Sequence, residues 1–565
     1  MADYIDKVLL GSTNWDIHDS RDLDATIDET YKALVDGTNT TQLFRGWYTV
    51  TAANNPGLTR YELLTRWFAL LADAWSDKEY ILRYGYYTAN TTGVTTITPL
   101  GDLAGKSAAA CCIETDTLTE DWADEDPMTW YLRFNGLSLA DGTMNILAIE
   151  GIDDTFDVTG NTAPVYTGRM GLFRNNYHDD TYEYKIFRTT STTGFKPWAA
   201  DVDPADNSHR AMNWQATFGG SLTSGGKLTS GSGYVTGTWQ RNTNTTAINK
   251  SASAGLTAAR LWDAYEGTMS DTDVSVLLDL FQLRHFSLEN SGILEGCLSY
   301  NLEYTVAMAE SGVTSVLLTT AQGANVQIGS FVDIGTSSRG GQIARANVIS
   351  KETVTIDGTD YCRVHLDLDE TINVTEGAKF ATLPWTPGST ERLPGHKDGA
   401  LYSCTAGRTP VRIAGVEVID GAYALGLDPL WNSDYNADRS PKSIYTVYQC
   451  RDSEKQASSI TGNYVSSGTF ESENSGWQYE KHMEIRDDGM LVPDALGATS
   501  TTFMKSAFFF SAGSGVRSPW RFCGLHNGGV GGLVGAFGDN APGSSNWVGR
   551  PRLSGSGKKR GEWAA

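Results

Sequence analysis

The segment from Arg517 to Arg552 constrains the fold of this chain most, because many glycines alternate there with large apolar residues. The apolar residues between the glycines are Trp520, Phe522, Leu533, Phe537 and Trp547. A flexible Gly/Ser linker has no large apolar groups to bury, whereas glycine lets an ordered backbone take positive φ and approach its neighbours closely. The composition therefore predicts an ordered, loop-rich surface or the closing strands of a β-rich domain.

The bulk composition is that of a large acidic protein with packed cores. A length of 565 residues predicts two to four domains, and 40% hydrophobic with 11% aromatic residues argues against disorder. The net charge of −23 repels phosphate, so we expect neither nucleic acid nor an anionic membrane as partner. The sequence has no apolar run of about 18 residues and no signal-peptide pattern at its start, so we expect neither a membrane span nor a leader.

The residues that bind metals or catalyse reactions form no recognisable motif. Seven cysteines without a CxxC pair favour assembly in a reducing cytoplasm with mostly buried thiols, and a disulfide among Cys297, Cys404 and Cys450 stays open. Five carboxylates lie within the nine residues Thr119–Pro127, but the spacing of an EF-hand loop is absent, which favours a solvated acidic loop over a calcium site. We therefore expect no cofactor and no metal site.

An amphipathic helix is predicted after the break at Asn55–Gly57. Its apolar residues recur at three- and four-residue spacing and are Leu63, Trp67, Leu70, Leu71 and Trp75. Such a stripe indicates either a core face or an oligomer contact. From Thr91 to about Trp198 the pattern then becomes β-rich.

Two helices and a second β-rich stretch are predicted farther along the chain. The helices are expected at Ala254–Tyr265 and at Thr272–Leu288, where Val274, Leu277, Leu278 and Phe281 share one face. Residues from Val313 to Leu383 then alternate as strands with turns, and Asp357-Gly358 is a strong hairpin signal. This stretch predicts a small β-barrel or sandwich inserted into a larger domain.

Four sequence segments resemble those of C-type-lectin-fold variable proteins of phages and prophages of gut bacteria. The first is the C-terminal succession GVRSPWRF, GG-x-GGL, an Asn/Ser-rich stretch and W-x-GRPRL. The others are DALGATSTTFMKSAFFF at 494–510, GVEVIDGAY at 415–423 and KLTSGSG at 227–233. The N-terminal part is similar to companion regions of the same phage proteins, more weakly. Where related sequences often continue toward a Trp-Glu pair, this chain has Ala424-Leu425, which weakens any transfer from enzymes of this fold.

The resemblance implies an α+β, β-rich multidomain protein. It has an N-terminal β-rich domain with one amphipathic helix, and a C-terminal C-type lectin fold interrupted by the small β-barrel or sandwich. The expected divisions are a virion-attachment or oligomerisation segment at 1–50, a β-rich domain at 51–205, the first part of the lectin fold at 206–312, the inserted β domain at 313–385, and the second part of the lectin fold at 386–565, including a variable region at 517–552.

In that family a diversity-generating retroelement rewrites selected codons near the 3′ end of the gene, and the rewritten residues form a ligand-binding face between fixed positions. The fixed positions implied here are Arg517, Pro519, Trp520, Phe522, Gly528, Gly532, Trp547, Gly549 and Arg552. The ligand-facing positions implied are Cys523, Leu525, His526, Asn527, Val530, Val534, Ala536, Phe537, Asp539, Asn540, Ser545, Asn546 and Val548. All of the latter are reachable from Asn codons of the AAY type when template adenines mutate.

The resemblance therefore implies a receptor-binding protein for host adhesion on the virion surface, in a tail or head appendage assembled in the host cytoplasm. Its partners would be a host cell-surface protein or glycan and, through the N-terminus, other virion proteins. A homotrimer is expected, because multivalent display raises avidity without new contacts. The alternative is a structural decoration or baseplate protein without receptor binding.

An enzyme is not expected. Formylglycine-generating enzymes share the lectin-like fold, but their chemistry needs a close cysteine pair that holds a metal, and only Cys450 and Cys523 lie in the C-terminal stretch. Cleavage of a glycan needs two carboxylates at a defined separation, which sequence alone cannot place.

Overall fold

The computed structural model describes residues 40–74, 76, 78–87, 93–105, 131–202, 208–291, 293–393, 407–435, 443–472 and 474–554. The chain is 14% helical and 38% strand, which confirms the expected β-rich α+β class. The N-terminal segment up to residue 39, the acidic stretch Thr119–Pro127, Trp75 and Cys404 lie outside the described residues.

Two helices open the described chain, although the sequence pattern predicted only the second. They are α1 (Thr40–Asn54) and α2 (Arg60–Ala74). Trp67 of α2 packs against α1, with ring centroids 5.3 Å from Trp47 and 5.7 Å from Phe44. Trp67 is therefore part of the core within one chain.

Two antiparallel sheets follow the helices. The five-stranded sheet has the order β2-β1-β7-β6-β8, with β1 (Tyr80–Gly85), β2 (Thr98–Gly101), β6 (Phe173–His178), β7 (Tyr182–Arg188) and β8 (Lys196–Pro197). The four-stranded sheet has the order β4-β3-β5-β9, with β3 (Tyr131–Ser138), β4 (Met144–Ile149), β5 (Val165–Met170) and β9 (Met212–Ala216). Helix α2 contacts β4, β5 and β9, so the helices cover the second sheet.

A small sheet and two helices lie next along the chain. The sheet consists of β10 (Gly220–Leu222), β11 (Leu228–Ser230) and β12 (Thr245–Thr246). The helices are α3 (Ala252–Ala259), shorter than predicted, and α4 (Asp271–His285), close to its predicted bounds. Ser270 begins α4 with a capping box, and all 15 residues of the helix are buried. Helix α4 is therefore central to the core.

Residues 303–382 form a compact β unit. A six-stranded sheet has the order β13-β20-β16-β17-β18-β15, and β14 pairs with β19. The elements are β13 (Glu303–Thr305), β14 (Glu310–Val313), β15 (Ser315–Thr319), α5 (Thr320–Asn325), β16 (Phe331–Gly335), β17 (Ala344–Ile356), β18 (Thr359–Leu366), β19 (Ile372–Val374) and β20 (Lys379–Thr382). We call residues 303–382 the six-stranded unit.

The six-stranded unit has an apolar core of its own, in which Val332, Val364 and Phe380 are completely buried. The hairpin predicted at Asp357-Gly358 is confirmed: it joins β17 to β18, and both turn residues have positive φ, at 51° and 78°. The division of the chain into domains, including an inserted one here, stays a prediction.

The C-terminal part contains three sheets. The first of these is a two-stranded hairpin of β21 (Val411–Ile413) and β22 (Val416–Val418). The four-stranded sheet, in the order β26-β25-β24-β30, consists of β24 (Pro429–Tyr435), β25 (Ser443–Gln449), β26 (Val465–Glu471) and β30 (Gly515–Arg517). The seven-stranded sheet, in the order β28-β27-β29-β32-β31-β23-β33, consists of β23 (Tyr423–Leu425), β27 (Gly476–Ile485), β28 (Leu491–Leu496), β29 (Ala507–Phe510), β31 (Trp520–Arg521), β32 (Ala536–Phe537) and β33 (Gly549–Pro551).

Both ends of the glycine-rich segment return to the same short strand. Strand β31 pairs antiparallel with one side of β23, where Ala424 is opposite Arg521. Strand β33 pairs parallel with the other side, where Ala424 is opposite Arg550. The chain between β31 and β33 thus begins and ends beside the same strand, β23.

One large apolar core connects the helices and the C-terminal sheets. At its centre the completely buried Trp431 stacks on Phe508, with ring centroids 5.6 Å apart. Of the helices in the described ranges, none has the length and the apolar character needed to cross a membrane.

Candidate functional site

The structure separates the thirteen predicted ligand-facing residues into two groups. Eight are exposed or half-buried: His526, Asn527, Val530, Phe537, Asp539, Asn540, Ser545 and Asn546. Five are buried: Cys523, Leu525, Val534, Ala536 and Val548. Leu525, for example, packs with Tyr300 and Trp385. These five side chains lie in apolar clusters, so the surface that the segment presents is made by the other eight.

Three half-buried aromatic residues form a row across adjacent strands of the seven-stranded sheet. Trp477 of β27 is the register partner of Phe509 of β29, and Phe509 is the partner of Phe537 of β32. The Phe509 and Phe537 rings stack at 4.3 Å with 10° between their planes. Trp477 stands nearly perpendicular to Phe509, at 5.3 Å and 76°. We call Trp477, Phe509 and Phe537 the aromatic row.

The ring contacts continue from the aromatic row toward the six-stranded unit. Tyr423 lies 5.9 Å from Phe537 and 6.3 Å from His526, and His526 lies 5.5 Å from Trp547. The guanidinium of Arg339, in the loop between β16 and β17, sits 4.2 Å from the centroid of the Trp547 ring. Partial burial of its ring, together with the nearby Arg339, lowers the pKa of His526.

The loop from Gly524 to Gly531 is held by backbone hydrogen bonds. The Asn527 side chain accepts from the Gly524 amide at 2.6 Å, and the Gly528 amide donates to the Leu298 carbonyl at 2.8 Å. The Tyr479 hydroxyl donates to the Gly529 carbonyl at 3.3 Å. The backbone is therefore fixed while the His526 side chain reaches solvent.

The loop that follows β32 is held in the same way. The Arg517 guanidinium donates to the Asp539 carbonyl at 2.9 Å, and the Ser518 amide donates to the Asn540 carbonyl at 2.8 Å. The Gly549 amide donates to the Asn546 carbonyl at 2.9 Å. These contacts use main-chain atoms at Asp539, Asn540 and Asn546, so they survive a change of side chain. The Asp539 carboxylate also accepts from the Ser511 hydroxyl, and the Asn546 side-chain oxygen accepts from the Val548 amide at 3.3 Å, so a change at either position loses one bond.

Three buried arginines hold the ends of the segment. Arg521 makes two bonds to the Asp271 carboxylate, at 2.8 and 2.6 Å, and one to the Leu491 carbonyl. Arg550 donates to Asp420 at 2.6 Å and to a carbonyl of Trp385 at 2.7 Å. Arg552 donates to the carbonyls of Glu417 and Ala216. The fixed positions that the resemblance implies include Arg552 but not Arg521 or Arg550.

Two of the glycines are required by close packing rather than by flexibility. A Cβ at Gly532 would lie 3.0 Å from the Asn290 side-chain oxygen and 3.0 Å from the Cβ of Ser506. A Cβ at Gly538 would lie 2.7 Å from the Trp431 ring. Real Cβ atoms almost never approach another atom as closely as 2.7 Å, so Gly538 favours glycine, and at Gly532 a Cβ would require its neighbours to shift slightly.

Trp477 and Phe509 were missed as site residues, because both lie outside the glycine-rich segment. In β29, Phe508 and Phe510 are buried. Successive side chains in a strand point to opposite faces, so Phe509 faces the other way. This alternation is the sequence signal from which the outward orientation of Phe509 can be predicted.

The described cysteines and acidic residues do not assemble into a metal site. Cys297, Cys362, Cys450 and Cys523 are buried and form no disulfide with one another, and burial raises the pKa of the Cys523 thiol well above its usual value. Within the described ranges, no three His, Cys, Asp or Glu side chains are grouped in a way that could hold a metal ion.

A comparison with known proteins finds no family model and no curated protein that matches this chain. The function is therefore inferred from the residues and geometry described above.

Proposed function

We propose that this is a phage- or prophage-encoded receptor-binding protein, which presents a retroelement-diversified surface on a C-type lectin scaffold for adhesion to bacterial hosts. One observation carries the proposal: eight exposed or half-buried side chains between 526 and 546 lie among buried glycines, on a stretch that the buried Arg521 precedes and the buried Arg550 and Arg552 follow. Loops on a rigid scaffold are the usual place for recognition.

The architecture supports a lectin-type scaffold. Such a fold needs two helices beside a twisted sheet that carries long loops, and α3 and α4 pack beside the seven-stranded sheet. Helix α3 contacts β33, and α4 contacts β28. The six-stranded unit, with its separate apolar core, fits an insertion between the two parts of this fold.

The composition of the presented surface suits recognition of varied ligands. It combines a rigid aromatic residue, Phe537, with adaptable polar residues such as Asn540 and Ser545. Antibody paratopes use the same mixture of rigid aromatic and adaptable polar groups. Binding without catalysis is thus the activity that we propose.

A homotrimer would raise the avidity of a single small site. Its contacts would have to avoid the Trp67 face of α2, which was considered as an oligomer contact from sequence but packs against α1 inside the chain. The contact surface would then lie elsewhere on the protein.

Deep sequencing of the 3′ end of the gene across a natural phage population tests the diversification. We expect substitutions at the codons of the exposed residues, such as His526, Asn540 and Ser545, and none at Gly532, Arg550 or Arg552. Substitutions spread evenly along the gene would sink the retroelement hypothesis and favour a structural decoration or baseplate role.

Binding of the purified full chain to a panel of gut bacterial isolates tests adhesion itself. The triple variant His526→Ala, Asn540→Ala, Ser545→Ala should lose binding to any isolate that wild type binds. Tyr177→Ala is the matched control, because Tyr177 is 49% exposed on the five-stranded sheet, outside the proposed surface. If wild type binds no isolate in the panel, the proposal of host adhesion fails.

A further inference from the structure

The aromatic row divides the proposed ligand surface into a constant part and a variable part. Trp477 and Phe509 lie outside the segment 517–552, whose codons would be rewritten, whereas Phe537 lies inside it. All three are half-buried, and they are register partners on neighbouring strands. Two of its three residues, Trp477 and Phe509, would therefore persist in every diversified copy. A constant subsite of this kind would recognise a feature that all the ligands have in common.

The row is small and presents rings at two orientations. Phe509 and Phe537 are nearly parallel, and Trp477 stands at 76° and 67° to them. Neighbouring strands lie about 4.8 Å apart, so three strands span roughly 10 Å. That length matches one or two sugar rings. A patch of three half-buried rings is also much smaller than the area of about 800 Å² per partner that a typical protein interface buries.

The charges around the row favour an uncharged ligand. The three rings carry no charge, and Asn540, Ser545 and Asn546, which belong to the same proposed surface, offer amides and a hydroxyl. The acidic Asp539 is held by the Ser511 hydroxyl. The chain as a whole carries −23, which repels acidic polymers.

We infer that the aromatic row is a constant subsite for a neutral saccharide of the bacterial surface, with the variable loops reading its neighbours. This inference rests on the proposed adhesion function. The apolar C–H face of a pyranose packs on aromatic rings, whose faces carry partial negative charge. Its hydroxyl groups pair with the surrounding amides and hydroxyls, the mixture of apolar wall and few polar groups that small-ligand sites have.

The test uses isolates that the wild-type full chain binds, in three forms: untreated, oxidised with periodate and digested with protease. Periodate cleaves vicinal diols of sugars and leaves most protein intact. We expect oxidation to lower binding at least tenfold and protease digestion to leave it within twofold. Adhesion that survives periodate and disappears after protease would overturn the saccharide inference while the proposed adhesion function stands.

Variants locate the subsite. Trp477→Leu removes the aromatic ring but leaves an apolar side chain and should weaken binding about tenfold, whereas Trp477→Phe should retain most of the wild-type binding. Near-ultraviolet circular dichroism of each variant monitors folding. Equal binding by wild type and a folded Trp477→Leu protein, with the His526, Asn540, Ser545 triple variant still defective, would place all recognition in the loops and overturn the subsite.

Discussion

The six-stranded unit and the C-terminal part that carries the proposed site, residues 407–554, are held together in different ways. In the former, β17 and β18 pair through eight register positions of a long ladder. In the latter, β31 and β32 have two residues each, and β23 and β33 have three. Residues 407–554 also contain a long ladder, in which β24 and β25 pair through seven register positions. The glycine-rich segment, however, joins its sheet through strands of two or three residues, so it needs other interactions.

Buried side chains supply those interactions in the C-terminal part. Arg521 is bound to Asp271 of α4, Arg550 to Asp420, and Arg552 to two carbonyls. Each guanidinium joins segments that are distant in sequence. A few buried arginines can thus take the place of long ladders of strand pairing, and the loops between these arginines are then free to vary.

The largest expected effect is in the six-stranded unit. Phe380→Ala removes a completely buried ring and should lower the free energy of unfolding of the six-stranded unit by about 3–5 kcal/mol. Hydrogen exchange should show lost protection in β16, β17 and β20, with the seven-stranded sheet little changed. Ile328→Ser, at an exposed position, is the control. Equal loss of protection in both regions would mean that the six-stranded unit and the seven-stranded sheet unfold together.

Arg521→Met should destabilise the C-terminal part by about 3 kcal/mol, because Asp271 is left buried without its partner. Burial raises the pKa of Asp271, and Arg521 opposes this. Without Arg521 the carboxyl can take up a proton, so the deficit relative to wild type should shrink as pH falls. Denaturant unfolding at several pH values measures this.

Lys196→Met is the control for Arg521→Met. It breaks the ion pair between Lys196 and Asp487, whose side chains are 68% and 81% exposed. Exposed pairs contribute no more than about 1 kcal/mol. A similar effect of both variants would contradict the role given to buried arginines.

The C-terminal part should also lose stability at alkaline pH through His482. Burial lowers its pKa, but the Glu183 and Asp494 carboxylates, which its ring nitrogens contact at 2.5 and 2.6 Å, raise it to about 9. A raised pKa stabilises the fold fully below the unfolded value near 6.5, and this stability is lost as pH rises through about 9. The loss should be roughly 3 kcal/mol.

His482→Gln provides the comparison for this alkaline loss. The variant should start less stable at pH 6 and should change less than wild type up to pH 9.5, as measured by urea unfolding. Parallel pH curves for wild type and variant would show that the imidazolium contributes nothing.

The smallest expected effect concerns the hairpin of the six-stranded unit. Gly358 has φ of 78° with open space around it, so Gly358→Ala should cost only about 1 kcal/mol of backbone strain. Gly462→Ala, also in open space, should be nearly neutral, and thermal unfolding compares the two. A large effect of Gly358→Ala would mean that the long β17–β18 ladder depends strongly on the conformation of this turn.

Local sequence signals predicted the elements that local chemistry decides. Helix α4 followed from its apolar spacing, and the β17–β18 hairpin followed from Asp357-Gly358. Helix α1 was missed, although Phe44, Trp47 and Thr51 recur at helical spacing and are buried. In these cases the information lay within one short window.

The candidate site could be predicted only in part, because strand register is not local. Nothing in a sequence window brings Trp477 beside Phe509 and Phe537, or Arg521 beside Asp271. The same limit explains the five buried positions: Leu525 meets Tyr300 and Trp385 only after distant segments have folded together.

The return of the glycine-rich segment to β23 on both sides has a consequence for changes of length. Since β31 and β33 both pair with Tyr423–Leu425, residues inserted between them lengthen a closed loop and displace neither end. The entropy of loop closure grows only with the logarithm of length, about 0.6 kcal/mol for each doubling. Insertions and deletions in the loops, as well as substitutions, are therefore open to this protein as a source of new binding surfaces.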